Sequence, residues 1–200
     1  MKGELKLIST RQFRQSDVND VIKINRICLP ENYSRFFFLK EASRTPRAFL
    51  VYEENQTICG YVMGRVERLA EELTNLLQPG SFIENTISFG PFQKYVQAIQ
   101  DEKKVGHIVS IAVLHKYRRR GIGFHLLSSS IDAMKLQNIV LVYLEVRKSN
   151  AEAIALYKKY GFQIAGILKD YYISQREDAC LMVLPLDPKI ESTSSKHSNS

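Results

Sequence analysis

The chain has few cysteines and no long apolar run, and both absences restrict its class. Its 200 residues include three cysteines, Cys28, Cys59 and Cys180. They are far apart and odd in number, and each lies in or beside an apolar stretch. We therefore expect small buried residues rather than a disulfide framework or a metal cluster. No stretch approaches the roughly 18 apolar residues of a membrane span, and the N-terminal apolar run is too short for a signal peptide. A cytoplasmic protein without a membrane partner is expected.

Acidic residues are in the minority. The 28 Lys and Arg residues against 21 Asp and Glu residues give a formal net charge of +7. Such an excess favours a polyanionic partner or a negatively charged ligand, although solubility alone can also produce it. The location of the charge is therefore more informative than its sum.

Apolar periodicity divides the chain into strands and helices in a mixed α+β order with three layers. Strands are predicted at 5–13, on both sides of a turn within 47–69, and at 106–114, 139–147, 163–173 and 177–186. Helices are predicted at 16–29, 34–43, 121–137 and 149–162. Ser149 and Glu152 have capping-box spacing in the last helix, and Gly161 is its expected stop. These elements predict one domain over 1–188, an insertion with some helix at about 70–104, and a disordered tail over 189–200.

The segment "RRRGIG" stands where a strand gives way to a helix. Arg118, Arg119 and Arg120 bring positive charge, and Gly121 and Gly123, on either side of Ile122, leave the backbone open to a ligand. A helix start presents unpaired N–H groups and a partial positive charge, which suit a pyrophosphate. The pattern is neither the dinucleotide fingerprint nor a Walker loop. A basic loop for nucleic acid is the alternative, but no aromatic residues interleave with the arginines as a stacking platform requires.

Four segments in order carry a family resemblance. "RRRGIG" after "HIVSIAV" resembles the acyl-CoA signature of the GCN5-related N-acetyltransferases, and "SNAEAIALYKKYGF" resembles another segment of that superfamily. With "LPENY" and "YLEVRKSN", the resemblance narrows to protein N-terminal acetyltransferases, most closely the archaeal Ard1-type enzymes. It covers about residues 5–186 except the insertion. It implies the GNAT fold: a mixed, mostly antiparallel central sheet with a splayed parallel strand pair, flanked by helices.

The resemblance also implies how acetyl-CoA binds. Its pyrophosphate would lie on residues 118–123. Its pantetheine arm would run along the preceding strand, where the backbone of Ile111, Ala112 and Val113 would also stabilise the oxyanion of the thioester. Asn150 would contact the cofactor arm or help to cap its helix. Tyr157 would donate a proton or hydrogen bond to the departing thiolate, or pack in the core.

The proton acceptor is predicted on a buried strand. Glu145 is the only charge within the apolar part of "IVLVYLEVR", so desolvation is expected to raise its pKa toward neutrality, unless it pairs with Arg147 or Arg65. His107 has a neutral-range pKa and could pass the proton directly or through water. No metal and no covalent acyl-enzyme are required.

The resemblance places four residues at the peptide: Glu31 and Tyr33 in "LPENY", and Tyr171 and Tyr172 in "KDYYI". Glu31 could instead be a loop carboxylate that suits the dipole of the second helix. Arg176 stands where the family has a glycine.

The expected function is therefore acetyl transfer from acetyl-CoA to the α-amine of protein N-termini or nascent peptides. A GNAT enzyme acting on lysines or small amines and a basic RNA- or ribosome-binding module are the alternatives. Ribosome association is compatible with the first. Monomer and homodimer both stay open.

Overall fold

This computed structural model describes residues 8–68 and 104–186. The strands are β1 (Ile8–Gln12), β2 (Phe49–Glu54), β3 (Thr57–Arg68), β4 (Lys104–Val113), β5 (Ile139–Arg147), β6 (Gln163–Tyr172) and β7 (Glu177–Pro185). The helices are α1 (Val18–Cys28), α2 (Arg35–Arg44), α3 (Ile122–Lys135) and α4 (Ala151–Tyr160). Apart from Lys104, the predicted insertion and the predicted tail lie outside the described residues.

The strands follow the order β1-β2-β3-β4-β5-β7-β6. The β1–β2, β2–β3, β5–β7 and β6–β7 pairs are antiparallel, and β4–β5 is parallel. The parallel register runs from Lys104 to His107 and so covers the first four residues of β4. The predicted mixed, mostly antiparallel sheet with a parallel pair is confirmed.

The described residues divide into two compact units. The first unit contains residues 8–65 and 108–136, and the second contains 66–68, 104–107 and 137–186. No helix within these ranges is both long and apolar enough to cross a membrane.

Helices cover both faces of the strands in the first unit. Side chains of β2 alternate between faces. Phe49 and Val51 join a core cluster with Val21 and Phe38 of the first two helices. Tyr52, on the other face, meets His125 of α3 edge-on at 6.3 Å between ring centroids. Strand alternation therefore produces the predicted layers in this unit.

The β2–β3 connection is the two-residue hairpin that the polar "EENQ" predicts. Asn55 and Gln56 have φ values of 50° and 61°. Two consecutive positive φ angles match the twist of the flanking strands. The predicted hairpin is confirmed.

The second unit corrects the predicted capping of α4. Asn150, not Ser149, is the N-cap, and its side chain accepts from the N–H of Ala153 at 3.1 Å. Ser149 instead donates its N–H and its hydroxyl to Glu177. Gly161 ends the helix with φ 116°, as its position predicts. The predicted capping box was wrong because a carboxylate from β7 binds Ser149.

Candidate functional site

The first unit contains the glycine turn. Gly121 is the N-cap of α3 with φ 80°, in the left-handed region that favours glycine. The first helical bond runs from the N–H of His125 to the carbonyl of Gly121. The N–H groups of Ile122, Gly123 and Phe124 therefore precede the hydrogen-bond ladder. A Cβ on Gly121 would meet no described atom within 4 Å, so the backbone here is open to a ligand.

Two of the three arginines make hydrogen bonds to neighbouring parts of the first unit. Arg118 donates its Nε to the carbonyl of Val113 at 3.0 Å. Arg120 binds Glu54, which is 6% exposed, at 2.7 Å between Nη2 and Oε2. Arg119 is exposed and has φ 61°. Because Glu54 compensates the charge of Arg120, the backbone N–H groups become the more important candidate donors for an anion.

The backbone of β4 distinguishes among the three residues predicted to stabilise the oxyanion. The N–H of Leu114 bonds the carbonyl of Cys59 on β3 at 2.9 Å. Successive residues of a strand direct their backbone groups to opposite edges. The backbone N–H of Ala112 therefore points to β3, and the N–H groups of Ile111 and Val113 point to the other edge of β4. The candidate donors are thus Ile111 and Val113.

The second unit brings His107 and Glu145 together. His107 Nε2 lies 2.9 Å from Glu145 Oε2, and each side chain is 10% exposed. The predicted alternative partners are engaged elsewhere: Arg147 binds Glu177 at 2.6 Å, and Arg65 lies 3.6 Å from Glu41. Glu145 is therefore a partly buried carboxylate hydrogen-bonded to an imidazole.

Two residues that sequence reasoning missed complete this cluster. Tyr143 stacks on the His107 ring, with 4.2 Å between centroids, and donates its hydroxyl to Glu67 at 2.5 Å. Glu67 Oε1 also lies 3.6 Å from His107 Nδ1. The available signal was a carboxylate at the end of an apolar strand, the same signal that identified Glu145.

The side chain of Tyr157 is 6% exposed and packs near Phe162, with ring centroids 5.8 Å apart. Burial raises the pKa of its hydroxyl. The Tyr157 hydroxyl therefore stays protonated at neutral pH and has a proton to donate. Asn150 has the capping role described above, the alternative that its sequence position allowed.

The last hairpin places Tyr172 beside Glu145. Its hydroxyl donates to the Glu145 carbonyl oxygen at 3.5 Å, and the Arg147 guanidinium lies 3.9 Å from the centre of its ring. Tyr171 is 42% exposed. Arg176 has φ 49°, in the left-handed region that a glycine adopts readily.

The loop after α1 carries Glu31, which is half-buried, and Tyr33. The backbone N–H of Tyr33 donates to Asn25 Oδ1 at 3.3 Å, and its ring stacks on Phe37 at 4.6 Å. Asn25 is fully buried and also bonds Tyr61, a connection that periodicity could not reveal. This loop is therefore attached to the core of the first unit.

Among residues 8–68 and 104–186, no group of three or more His, Cys, Asp and Glu side chains has a geometry that could hold a metal ion.

The chain is similar to known proteins in both sequence and fold. The model of the acetyltransferase (GNAT) family matches residues 18–162. An N-alpha-acetyltransferase of Sulfurisphaera tokodaii is 43% identical over 177 residues, covering 88% of this chain and 92% of that protein. An N-alpha-acetyltransferase of Saccharolobus solfataricus is 40% identical over 177 residues, with the same two coverages.

Solved structures share the fold. Ard1 from Thermoplasma volcanium superposes with a TM-score of 0.67 at 27% identity, covering 90% of this chain and 98% of that one. Naa20 from Chaetomium thermophilum, in complex with a bisubstrate analogue, superposes with a TM-score of 0.72 at 26% identity. That match covers 96% of this chain and 94% of the other.

Proposed function

The chain belongs to the acetyltransferase (GNAT) family, and from this membership we propose that it transfers the acetyl group of acetyl-CoA to the α-amine of protein N-termini. The match to each of the two relatives named N-alpha-acetyltransferase covers 92% of that relative's length. The observation that carries the chemical assignment is the 2.9 Å hydrogen bond between His107 and Glu145. A partly buried acid–base pair of this kind can remove a proton from an ammonium group.

Acetyl-CoA supplies an activated thioester. Its pyrophosphate suits the open turn at Gly121, because the first N–H groups of α3 and the helix dipole both favour an anion there. Arg119 adds positive charge, while Arg118 and Arg120 keep the turn in place through Val113 and Glu54. The N–H groups of Ile111 and Val113 would then stabilise the negative charge that develops on the thioester oxygen.

The acceptor must be a neutral amine. A peptide α-amine has a pKa of about 8, whereas that of lysine is about 10.4, so a modest base suffices for the α-amine. Glu145 and His107 would accept the proton that the ammonium form of the α-amine loses. The neutral amine would then attack the acetyl carbon directly. Tyr157 would stabilise the departing thiolate as a hydrogen-bond donor.

Glu31, Tyr33, Tyr171 and Tyr172 are proposed to contact the first residues of the peptide. Tyr172 is supported by its contact with the Glu145 backbone. Association with ribosomes stays a prediction, action on lysines stays the alternative, and monomer and homodimer both stay open.

The test uses labelled acetyl-CoA and paired peptides that contain one internal lysine, with the α-amine either free or blocked. Label should enter only the free peptide. Glu145→Gln should lower turnover by about 10²–10⁴-fold with acetyl-CoA affinity nearly unchanged. Asp132→Asn, at an exposed carboxylate bonded to Lys135, is the matched control and should retain activity.

Label on the internal lysine of the blocked peptide would instead support the lysine-directed alternative. Full turnover by Glu145→Gln would exclude Glu145 as the base.

A further inference from the structure

Glu67 faces the acid–base pair from the opposite side. It lies on β3, and its Oε1 is 3.6 Å from Nδ1 of His107, whereas the other ring nitrogen of His107 bonds Glu145 at 2.9 Å. The imidazole is therefore between two carboxylates. The Glu67 side chain is 16% exposed, so solvent screens this charge only in part.

Tyr143 connects Glu67 to the imidazole in a second way. Its ring lies nearly parallel to that of His107, with an interplanar angle of 15°, and its hydroxyl donates to the same Glu67 oxygen. One residue thus restrains the plane of the imidazole and the position of the carboxylate. The ring cannot turn freely while Glu145 and Tyr143 both hold it.

The two carboxylates favour one charge state of the ring. A neutral imidazole has one N–H and one lone pair, so one of its nitrogens would direct a lone pair at a carboxylate. The imidazolium has two N–H groups and suits both neighbours. The hydroxyl of Tyr143 weakens this preference, because the hydrogen bond that it donates offsets part of the negative charge of Glu67.

The described strands next to this cluster carry both apolar and charged side chains. On β7, the residues opposite Tyr143 and Glu145 are Val183 and Leu181, which are apolar. The remaining cations of β3, β4 and β5 are Arg65, Arg68, Lys104 and Arg147. Arg65 and Arg147 have carboxylate partners, and Arg68 and Lys104 are exposed.

We propose that Glu67 is a positioning residue of this enzyme that, together with Tyr143, orients the His107 imidazole toward Glu145 and sets how readily that pair holds a proton. The role in catalysis rests on the proposed acetyl transfer, but the effect on His107 itself does not. Glu67 acts through His107 and is not assigned a contact with either substrate.

Substitutions of Glu67 and of Tyr143 should shift the pKa of His107 in opposite directions. Glu67→Gln keeps an oxygen for Tyr143 but removes the negative charge, so the pKa of His107 should fall by about one unit. The ascending limb of kcat/KM against pH should move to lower pH by the same amount. Tyr143→Phe keeps the ring stack but removes the hydroxyl donor, so the pKa and the limb should both move upward.

The pKa is measured by NMR titration of histidine-labelled full-length protein, with His107→Gln used to assign the resonance among the four histidines. The kcat/KM profile is measured with the free α-amine peptide. Asp132→Asn removes one negative charge at an exposed site and should move neither quantity. Melting temperatures show that each variant is folded.

Shifts of opposite sign support the proposal, because loss of packing alone would lower activity across the whole pH range. An unchanged His107 pKa in Glu67→Gln, or shifts of the same sign in both variants, would overturn it. If the NMR shifts occur but the wild-type protein acetylates no peptide, the proposed function fails while the effect of Glu67 on His107 stands. If the NMR shifts occur and the rate profile of an active enzyme does not move, the link between Glu67 and the reaction is refuted.

Discussion

Tyr61→Phe should destabilise the protein strongly, because the Tyr61 hydroxyl joins three elements of the first unit. It accepts from Asn25 Nδ2 of α1 at 3.0 Å and shares a hydrogen bond of 2.7 Å with Ser110 Oγ of β4. Burial raises the pKa of Tyr61, so the hydroxyl stays neutral and serves as both donor and acceptor. The substitution removes this single oxygen and keeps the ring.

The magnitude follows from the burial of the two groups that lose a partner. Asn25 is 0% exposed and Ser110 is 7% exposed, so water does not readily replace the lost oxygen. A buried polar group left unsatisfied costs about 1–3 kcal/mol. With two such groups, we expect the free energy of unfolding to fall by about 3 kcal/mol.

Chemical denaturation measures this change, with Tyr52→Phe as the matched control. Tyr52 is also buried, at 9% exposed, but its hydroxyl has no hydrogen-bond partner among the residues that the structure describes. Its substitution should cost less than about 0.5 kcal/mol. In a Ser110→Ala background, the cost of Tyr61→Phe should decrease by about 1 kcal/mol. Equal costs for Tyr61→Phe and Tyr52→Phe would refute the reasoning.

Two further predictions concern the glycine turn and the last hairpin. Asparagine tolerates the φ of 80° at Gly121, and Gly121→Asn should weaken acetyl-CoA binding at least tenfold by calorimetry. The control Gly161→Asn, at φ 116°, should leave the affinity unchanged. Equal affinities in the two variants would remove the turn from the cofactor site. Hydrogen bonds from Ser149 and Arg147 lower the pKa of Glu177 from 4.5 to about 2. Its stabilising contribution is therefore present above pH 4.5 and lost as the pH falls toward 2. In Glu177→Gln, the free energy of unfolding measured with urea should depend less on pH between 4.5 and 2 than in the wild type. The same pH dependence in both proteins would contradict this.

Much of the fold could be predicted because local patterns determine it. The apolar run "IVLVYLEVR" predicts a strand at 139–147, which is β5 as observed. Gly161 and the polar pair at Asn55 and Gln56 identify a helix end and a turn, because both depend on backbone conformation near in sequence. The predicted capping box at Ser149 was wrong because Glu177, distant in sequence, binds Ser149.

Prediction of the candidate site was less complete. Glu145 and His107 were found from one charge on an apolar strand and from a family resemblance. Their partners Glu67 and Tyr143 were not: Glu67 lies near the end of an apolar strand, but that signal was not used, and Tyr143 has no local signal of function. The phosphate site at the triple arginine stays a prediction, and sequence alone gave no reason to expect Glu54 beside Arg120.

The amino-acid sequence by itself determined the types of the described elements, the turn conformations and the family. Each of these depends on residues close together in the chain or on motifs read in order. Tertiary structure alone decided which charges meet: His107 with Glu145, 38 positions apart, and Arg120 with Glu54, 66 positions apart. Strand pairing and packing bring such residues within a few ångströms, and electrostatic and hydrogen-bond energies depend on that distance rather than on separation along the chain.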